Sequence, residues 1–452
     1  MLEKINDGKY LVTVVGAGPA GLFAARKLAS PEIRVILLNR DIKPGGLAEY
    51  GIYPTKHKMK EGLRQQFNHI LETPDIEYYG NIMVGLKGDF TLNELRALGF
   101  QAILVTVGAQ GTKWLGLQGE DLLGVYHAKD IVYHYNKLPP FSERNFTIGK
   151  RIAVVGVGNV MLDIAQWLIR EIKADEVIAV ARRGPAEVKF SKKELEYIAG
   201  NLDMDDLDKE FELVSPIMKS IGQDIDQAKE FFLSALPKAV ETISNTRFRF
   251  DFLASPSRIL GNERGEVRGL EVENTTLLWD DGEIKAKRLG VKRVIKVDTV
   301  IFCIGDRVDE DFGLPVRWNE FVKNPEPYFP VNGLSYEAYD PDSGRPIDRV
   351  FVAGWAREAS SGLVGTARKD GEFGAQAVLQ YLQTQPPMKN TEETLRKFRE
   401  IMQELKKPVV NKDDYRHLQQ IENTEAERLD VDEFKFSSQE EMLEIITKVK
   451  AK

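Results

Sequence analysis

The chain has 452 residues, a formal net charge of −7 at pH 7 and a pI near 5.6. Such a length can bury the cores of two or three domains, and the acidic balance argues against a general nucleic-acid binder. No run of 18 apolar residues occurs and Met1 to Gly8 lacks the apolar core of a signal peptide, so we expect no membrane span and a cytoplasmic location.

The cysteine and histidine content limits the redox groups and metal sites that the chain can form. Cys303 is the only cysteine, so the chain cannot form an internal disulfide, a Cys-x-x-Cys redox pair or a cysteine-ligated iron–sulfur cluster of its own. Thioredoxin-reductase and disulfide-reductase chemistry is thereby excluded. The five histidines have no metal-ligand spacing, and no metal site is expected.

The first predicted strand, Leu11 to Val15, leads into a glycine turn and then a helical pattern from Pro19 to Ala29. The turn reads Gly16-Ala17-Gly18-Pro19-Ala20-Gly21, the spacing of a dinucleotide-binding fingerprint. Backbone N–H groups at such a helix start face a pyrophosphate, and glycine lets it approach closely. The sequence therefore predicts a nucleotide at this turn.

In such dinucleotide-binding units, the residue that follows the next strand usually hydrogen-bonds the ribose. Here the strand Arg34 to Leu38 ends at Asn39, where an acidic residue usually accepts from a ribose hydroxyl. Asparagine can hydrogen-bond a neutral ribose, although more weakly than a carboxylate.

A second fingerprint follows farther along the chain. Strand Ile152 to Val155 runs into Gly156-Val157-Gly158-Asn159-Val160, and a helical pattern continues to Ile172. The next strand, Val177 to Val180, is followed by Arg182-Arg183. Arginine forks can hold a 2′-phosphate that a carboxylate would repel, so this unit should prefer NADPH over NADH.

The remaining predicted elements give an interrupted layout. Apolar strand patterns and one late helical pattern are found at Ala102 to Val107, Thr246 to Leu253, Thr299 to Gly305, Arg349 to Trp355 and Lys369 to Leu382, and Val267 to Val297 reads as alternating antiparallel strands. The simplest architecture is an α/β protein with two Rossmann-like dinucleotide-binding domains, the second inserted into the first. The expected divisions are 1–108, 109–319 and 320–452.

Two segments have no functional interpretation. Asn201 to Glu241 is acidic and helical in pattern, which favours a surface insertion on the second domain. The tail from Met388 has apolar residues at helical spacing and is expected to pack against the first domain.

In order and spacing, these motifs resemble the adrenodoxin-reductase type of ferredoxin–NADP reductase over nearly the whole chain. The segments that carry the resemblance are Val14 to Leu28, Pro44 to Ile52, Val155 to Ala165, Arg182 to Glu187, Phe190 to Leu195, Ala353-Gly354-Trp355, Ser361 to Val364, and Tyr415 to Leu443. The resemblance implies FAD on the first unit and NADPH on the inserted one. It also implies hydride transfer from NADPH to FAD and single electrons to an iron–sulfur protein or flavodoxin, reversibly.

The resemblance also assigns site residues. For FAD it implies Gly16, Ala17, Gly18, Pro19, Ala20, Asn39, Arg40, Gly46, Leu47, Val107, Gly108, Trp355, Gly362, Leu363 and Val364. For NADPH it implies Val157, Gly158, Asn159, Val160, Arg182, Arg183, Glu194 and Gly362.

The chain departs from the family pattern at several positions. Asn39 stands where the family commonly has glutamate, and Thr55-Lys56-His57-Lys58 replaces an Asp-His-Pro run near the flavin. His57 and Asp163 remain candidates for proton handling, each weighed against an ordinary structural role as a surface histidine and as a carboxylate favoured near a helix start. These departures indicate a distant branch of the family.

Other functions stay open at this point. One alternative is an NADPH-oxidising flavoprotein subunit of a larger complex, similar to the small subunit of glutamate synthase, although the chain lacks a cysteine-rich cluster domain. Another is a nucleotide-bound regulatory protein without turnover. The expected partner is ferredoxin or a similar one-electron carrier, which could dock at Lys56, His57, Lys58, Lys60 and Arg64 or at Lys189, Lys192 and Lys193.

Overall fold

The computed structural model describes residues 10–359 and 362–450, with side chains through Lys448. Met1 to Gly8 and Ser361, which the sequence analysis names, lie outside this part of the chain. The described residues divide into two compact units. The first takes the described parts of Met1–Thr112, Tyr133–Glu143 and Gly305–Lys452, and the second takes Lys113–Val132 and Arg144–Ile304. Segments 109–112, 133–143 and 305–319, which the expected limits gave to the second domain, thus belong to the first unit.

The core of the first unit is a six-stranded sheet with the order β17-β18-β4-β1-β2-β3. Its strands are β1 (Tyr10–Val15), β2 (Ile33–Leu38), β3 (Ile76–Tyr79), β4 (Ala102–Val105), β17 (Glu337–Asp340) and β18 (Arg345–Val352). All neighbours pair in parallel except β17 and β18. The central strands are buried along their length, as expected for a parallel sheet that is covered on both faces.

Helices and short strands complete the first unit. The helices are α1 (Pro19–Leu28), α2 (Leu47–Tyr50), α3 (His57–Leu71), α4 (Leu92–Ala97), α10 (Val364–Gln383), α11 (Thr391–Glu404), α12 (Lys412–Leu429) and α13 (Gln439–Lys450). Two-residue strands pair as β5 (Gly111–Thr112) with β14 (Asp306–Arg307), and as β15 (Val316–Arg317) with β16 (Glu320–Phe321).

The second unit combines two sheets. Its parallel sheet has the order β6-β13-β7-β8-β9, and its antiparallel sheet is β10-β11-β12. The strands are β6 (Val125–His127), β7 (Arg151–Val155), β8 (Glu176–Val180), β9 (Arg247–Asp251), β10 (Ala254–Gly261), β11 (Val267–Asp280), β12 (Glu283–Ile295) and β13 (Thr299–Phe302). The helices are α6 (Asn159–Trp167), α7 (Lys192–Leu195), α8 (Met204–Ser220) and α9 (Ile225–Leu233), and α5 (Ala128–Tyr135) starts in this unit. The predicted α/β fold with two Rossmann-like units, the second inserted into the first, is confirmed.

The insertion at 201–241 is more than a surface feature. Helices α8 and α9 bring Phe211 and Phe232 into a buried aromatic cluster, where the Phe232 ring centroid lies 5.2 Å from that of Phe250 and 5.7 Å from that of Phe211. Because Phe250 belongs to β9, these helices cover the edge of the parallel sheet. The insertion therefore forms part of the surface of the second unit and also packs into its core.

The tail packs within the first unit, as expected. Leu395, Phe398 and Leu418 from α11 and α12 are fully buried. A buried ion cluster also connects the tail to earlier segments. Its members are Lys43, Glu49, Lys60, Arg64, Glu422, Glu433 and Lys435.

Glu49 is the centre of the buried ion cluster. Its carboxylate accepts hydrogen bonds from Arg64 Nε and Nη2 at 2.6 and 2.7 Å, and Lys435 Nζ lies 3.0 Å away. Burial alone would raise the pKa of the Glu49 carboxyl, but Lys43, Lys435 and Arg64 hold it well below its usual range. Burial lowers the pKa of Lys435 to about 8. The segment around Gly46 and Leu47 is thus anchored to the tail through charge.

Replacing Glu433 with glutamine should weaken this anchor. Although burial raises the pKa of Glu433, Lys435, Lys60 and Arg64 lower it to about 2. A buried cation whose partner is removed costs about 3 kcal/mol or more. Because the folded-state pKa is depressed, the contribution of Glu433 is present above about pH 4.5 and is lost as the pH falls toward 2. Urea unfolding at pH 7 should show a large loss for Glu433→Gln, with a smaller difference from wild type near pH 3.

The matched control is Glu444→Gln, which removes a carboxylate from an exposed pair with Lys448 at 3.3 Å. Exposed pairs contribute roughly 0 to 1 kcal/mol, so this variant should unfold like wild type. Equal effects of both substitutions would contradict a stabilising role of the buried ion cluster.

Membrane spans and metal clusters are both absent from the described residues. Within 10–359 and 362–450, no helix has the length and apolar character needed to cross a membrane. In the same part of the chain, no group of three or more His, Cys, Asp or Glu side chains is arranged to hold a metal ion.

Candidate dinucleotide sites

The first candidate site lies at one edge of the six-stranded sheet. Strands β1, β2, β4 and β18 run in the same direction, so their carboxyl ends meet at this edge. Gly16, Asn39, Val107 and Gly354 follow these strand ends. In open α/β sheets, ligands bind outside the carboxyl ends of the strands. The topology therefore brings together four of the segments that the sequence analysis assigned to FAD.

The glycines of the first turn have different tasks. Gly16 has φ +105°, and a Cβ there would lie 2.7 Å from the carbonyl oxygen of Thr106. A Cβ on Gly21 would lie 1.8 Å from the Gly16 oxygen, whereas one on Gly18 would meet no protein atom within 4 Å. Gly16 and Gly21 are thus required by packing. Gly18 instead leaves open space at the start of α1.

The first turn of α1 offers its N–H groups outward. Pro19 occupies the first helical turn, Ala20 is buried, and no side chain caps the helix at Gly18. Helices elsewhere in the chain have side-chain caps, for example from Thr91, Asp203 and Asn411. The uncapped start and the open space at Gly18 fit a pyrophosphate group.

The segment with Gly46 and Leu47 lies against this turn. Gly45 N–H donates to the Ala17 oxygen at 2.7 Å. Gly46 has φ +50°, and a Cβ there would lie 3.1 Å from Gly18 Cα. Leu47 starts α2 and is half-buried, so it can line a cofactor beside the turn.

Asn39 is engaged within the protein. Its Oδ1 accepts from Ala17 N–H at 3.0 Å, and its Nδ2 donates to the Asp41 and Lys43 oxygens at 2.9 and 3.0 Å. The amide therefore stabilises the glycine turn, a role that the sequence analysis missed. A contact between Asn39 and the ribose stays a prediction. Arg40 is exposed and donates to Asp41 at 2.9 Å and to Gln110 at 3.2 Å.

Two further segments reach the same edge of the sheet. After β4, Val107 is half-buried and Gly108 has φ +71°. After β18, Trp355 follows Gly354 and is half-buried. The contacts of both segments with a bound flavin stay predictions.

The start of α10 presents Gly362, Leu363 and Val364. Gly362 has φ +71°, Leu363 is 68 % exposed, and no side chain caps the helix there. This start resembles that of α1 in offering uncapped N–H groups. The role of Gly362 to Val364 beside the flavin also stays a prediction.

The structure changes the interpretation of the basic residues between Lys56 and Arg64, which follow the Gly46–Leu47 segment in the chain. Lys60 is fully buried, where Nζ donates to Glu433 at 2.6 Å, and Arg64 is engaged with Glu49 and Glu433. Both belong to the buried ion cluster, so the expectation that they form a docking surface is wrong. His57 Nε2 lies 3.6 Å from Asp432 Oδ1, and the proton-handling role of His57 stays a prediction.

The second candidate site lies at the carboxyl edge of the five-stranded parallel sheet. Gly156 has φ +123°, and a Cβ there would lie 2.4 Å from the Cys303 oxygen, whereas one on Gly158 would meet no protein atom within 4 Å. Helix α6 begins after Gly158 without a side-chain cap. This arrangement of one packed glycine, one open glycine and an uncapped helix matches the first site.

Neighbouring residues order this second turn. The Val157 oxygen accepts from Lys189 N–H at 2.8 Å, and Asn159 Oδ1 accepts from Ser191 N–H at 2.9 Å. Val160 is 44 % exposed at the helix start. Asp163 is half-buried one turn later, which leaves its proton-handling role a prediction.

The paired arginines lie where β8 ends. Thr275 Oγ1 donates to the Arg182 oxygen at 2.7 Å, and Leu253 N–H donates to the Arg183 oxygen at 3.3 Å. The Arg182 side chain is exposed. Arg183 Nε is buried and has no hydrogen-bond partner among the residues described, an orphaned donor that suits a phosphate oxygen. Glu194 is half-buried in α7, and its pocket contact stays a prediction.

Comparison with known proteins adds a second line of evidence. Residues 10–202 match the family described as pyridine nucleotide-disulphide oxidoreductase. The chain is 30 % identical over 412 residues to NADPH-ferredoxin reductase FprA of Mycobacterium leprae, covering 82 % of this chain and 84 % of the relative. It is 27 % identical over 410 residues to the mitochondrial NADPH:adrenodoxin oxidoreductase of Salvelinus fontinalis, covering 82 % and 77 %.

The solved structures show the same fold. Mycobacterium tuberculosis FprA in complex with NADPH matches with a TM-score of 0.78 and 24 % identity, over 97 % of this chain and 99 % of that one.

Proposed function

This chain belongs to the family of NADPH–ferredoxin reductases that includes the adrenodoxin reductases, and from that membership we infer that it is an NADPH-dependent flavoprotein oxidoreductase of the ferredoxin–NADP(+) reductase class. Bound FAD would supply the chemistry, namely hydride acceptance from NADPH and release of the two electrons one at a time. The protein binds and orients the two nucleotides. No disulfide partner is needed, which agrees with the single cysteine.

We assign FAD to the first unit. The start of α1 with Gly18 would hold the pyrophosphate, and Leu47, Val107 and Trp355 would line the rest of the cofactor. Asn39 keeps the turn in shape through its bond to Ala17, which supports the pyrophosphate indirectly. The uncapped start of α10 would add N–H groups near the flavin ring.

We assign NADPH to the second unit. The start of α6 with Gly158 would hold its pyrophosphate, and Arg182 and Arg183 would bind the 2′-phosphate. The observation that carries the assignment is the difference between two otherwise matching turns. Both have an open glycine and an uncapped helix, but the paired arginines follow only the second.

A visible spectrum of the purified protein tests this function. Flavin bands should be present as isolated and should bleach under anaerobic conditions with NADPH, but poorly with NADH. Reduction of a ferredoxin and of a small dye should then be measured side by side. Dye reduction without ferredoxin reduction would favour a subunit of a larger complex, and the absence of flavin bands would refute the function.

We propose a ferredoxin-type acidic iron–sulfur protein as the acceptor, and a cytoplasmic location stays a prediction. Two basic surfaces could serve for docking, one around Lys56 to Arg64 and one around Lys189 to Lys193. Because Lys60 and Arg64 belong to the buried ion cluster, the first surface retains only the exposed Lys58 and the half-buried Lys56. At the second, Lys189 and Lys193 are exposed. Opposite charge would steer an acidic carrier to either surface.

Ionic strength should separate protein docking from small-molecule reduction. Exposed charges are screened over about 10 Å at 0.1 M salt, so ferredoxin reduction should slow severalfold between low and physiological salt. Reduction of an uncharged dye should hardly change. Lys58→Glu and Lys193→Glu, compared at low salt, would show which surface is used, and identical salt profiles for both acceptors would remove the argument for an acidic partner.

A further inference from the structure

A largely buried carboxylate, Asp370, joins two segments that the proposed function places at the flavin. Asp370 lies in the second turn of α10, six residues beyond its first residue, Val364. Its Oδ2 accepts from Gly354 N–H at 2.6 Å, and its Oδ1 accepts from the Tyr336 hydroxyl at 3.0 Å and from Arg357 Nη2 at 2.7 Å. One side chain therefore holds the turn after β18 to the helix that begins at Val364.

The surroundings make this carboxylate hard to replace. The side chains of Arg357 and Asp370 are only 9 % and 13 % exposed, and Tyr336 is fully buried. The Arg357 guanidinium also lies over the Tyr336 ring, 4.8 Å from its centroid. A hydrogen-bonded ion pair in such a site helps fix the local geometry, because both side chains are largely removed from solvent and water competes weakly for their hydrogen bonds.

Close packing carries the constraint to the glycine turn of the first site. A Cβ on Gly371, next to Asp370, would lie 2.1 Å from the Ala20 oxygen, and one on Gly354 would lie 2.6 Å from Ala20 Cβ. Ala20 is in the first turn of α1, where we place the FAD pyrophosphate. The Gly354 turn, α10 and the start of α1 thus contact one another around Asp370.

We propose that Asp370 is a positioning residue for flavin reduction: it locks the Gly354–Trp355 turn to α10, so that the two segments assigned to the flavin ring keep one fixed arrangement. This inference rests on the proposed function. Asp370 does not need to touch the cofactor. Its effect passes through the Gly354 N–H group and through the ion pair with Arg357.

The test uses the holoprotein with Asp370→Asn, and Glu372→Gln as the matched control on the same helix. Glu372 is half-buried and forms an i,i+4 pair with Arg368 at 3.1 Å, but it makes no contact with Gly354, Arg357 or Tyr336 that the structure shows, so its loss should leave flavin reduction nearly unchanged. In Asp370→Asn, stopped-flow reduction of the flavin at saturating NADPH should slow about tenfold or more, while the NADPH concentration for half-saturation stays within about twofold. Asp370→Glu should recover part of the rate.

A second readout does not depend on turnover. Amide hydrogen exchange of the segment 350–359 should speed up in Asp370→Asn without added NADPH, because the Gly354 N–H loses its charged acceptor. Unchanged exchange together with an unchanged reduction rate would overturn the proposal.

A double variant separates positioning from charge balance. Arg357→Met with Asp370→Asn removes both charges, so stability should largely return. If positioning is correct, flavin reduction stays slow in this variant. A full return of the rate would show that Asp370 only neutralises Arg357, and would overturn the proposal.

A milder variant is needed in case Asp370→Asn fails to retain FAD. Tyr336→Phe removes one hydrogen bond to Asp370 and should slow flavin reduction by a smaller factor. An unchanged rate in this variant would overturn the proposal.

The outcomes are distinct from those for the proposed function. A wild-type protein without flavin, or one whose flavin NADPH does not bleach, would refute the function itself. An active wild type with an equally active Asp370→Asn variant would refute only the positioning role.

Discussion

Replacing both Arg182 and Arg183 with glutamine is expected to lower kcat/KM for NADPH by roughly two orders of magnitude, and to leave the rate with NADH nearly unchanged. A hydrogen bond to a charged group contributes about 1.5 to 3 kcal/mol, and each factor of ten corresponds to about 1.4 kcal/mol. NADH has no 2′-phosphate, so it cannot lose this interaction. The effect should appear in the NADPH concentration for half-saturation more than in the limiting rate of flavin reduction.

The control must remove the same charge from the same unit. Arg264 and Arg268 are exposed in the second unit, and the Arg264→Gln, Arg268→Gln variant changes the net charge by the same amount. A similar NADPH defect in this control would mean that general electrostatic attraction is responsible. An equal loss toward NADPH and NADH in the Arg182, Arg183 variant would contradict the 2′-phosphate assignment.

Local patterns were enough to predict both nucleotide turns. Each needs a buried strand, a glycine turn and a helix within about 20 consecutive residues, and each turn follows directly from backbone geometry. The predicted strand Leu11 to Val15 and helix Pro19 to Ala29 correspond to β1 and α1 within one residue at each end. The helix predicted from Lys369 instead begins at Val364, because Gly362 and Gly365 weaken the local helical signal.

Residues whose partners lie far along the chain could not be assigned from the sequence. In the sequence, Lys60 and Arg64 are part of a run of basic residues that is typical of an exposed patch. In the structure, both bind Glu433, which is 373 and 369 residues away along the chain, and so belong to the buried ion cluster. Asn39 has a nearer partner, the Ala17 N–H, which is 22 residues away. The sequence analysis assigned Asn39 to the ribose of FAD, because its position at a strand end does not reveal which backbone groups of the turn need a hydrogen-bond acceptor.

The Asp370 network was missed for the same reason. Its partners Tyr336 and Gly354 are 34 and 16 residues away, and nothing in the pattern around Asp370 distinguishes it from a solvated helix carboxylate. The one available signal was the pair Gly371 and Gly374 within a helix, since interior helical glycines cost about 1 kcal/mol unless close packing requires them. Such a pair marks a helix face in contact with another backbone.

Replacing Gly18 with valine should abolish retention of FAD while leaving the protein folded. A Cβ at Gly18 meets no protein atom within 4 Å, and the residue has φ −75°, which any amino acid can adopt. The valine side chain would therefore enter only the space that we assign to the pyrophosphate. Flavin content, measured from the visible spectrum after purification, should fall from about one per chain to below about a tenth, because the backbone can no longer approach the phosphates.

Two comparisons show whether the loss comes from the ligand space. A Cβ on Gly62 in α3 would likewise meet no protein atom within 4 Å, so Gly62→Val adds the same side chain elsewhere in the first unit and should keep its flavin. Gly16→Val should behave differently again, since its side chain would meet the Thr106 oxygen at 2.7 Å and destabilise the apoprotein itself. Thermal unfolding of the three apoproteins separates these cases: Gly18→Val should unfold within a few degrees of wild type, because a poor N-cap residue costs about 1 kcal/mol. A yellow, fully loaded Gly18→Val protein would place FAD elsewhere, and would return the second turn, with its equally open Gly158, to consideration as the flavin site.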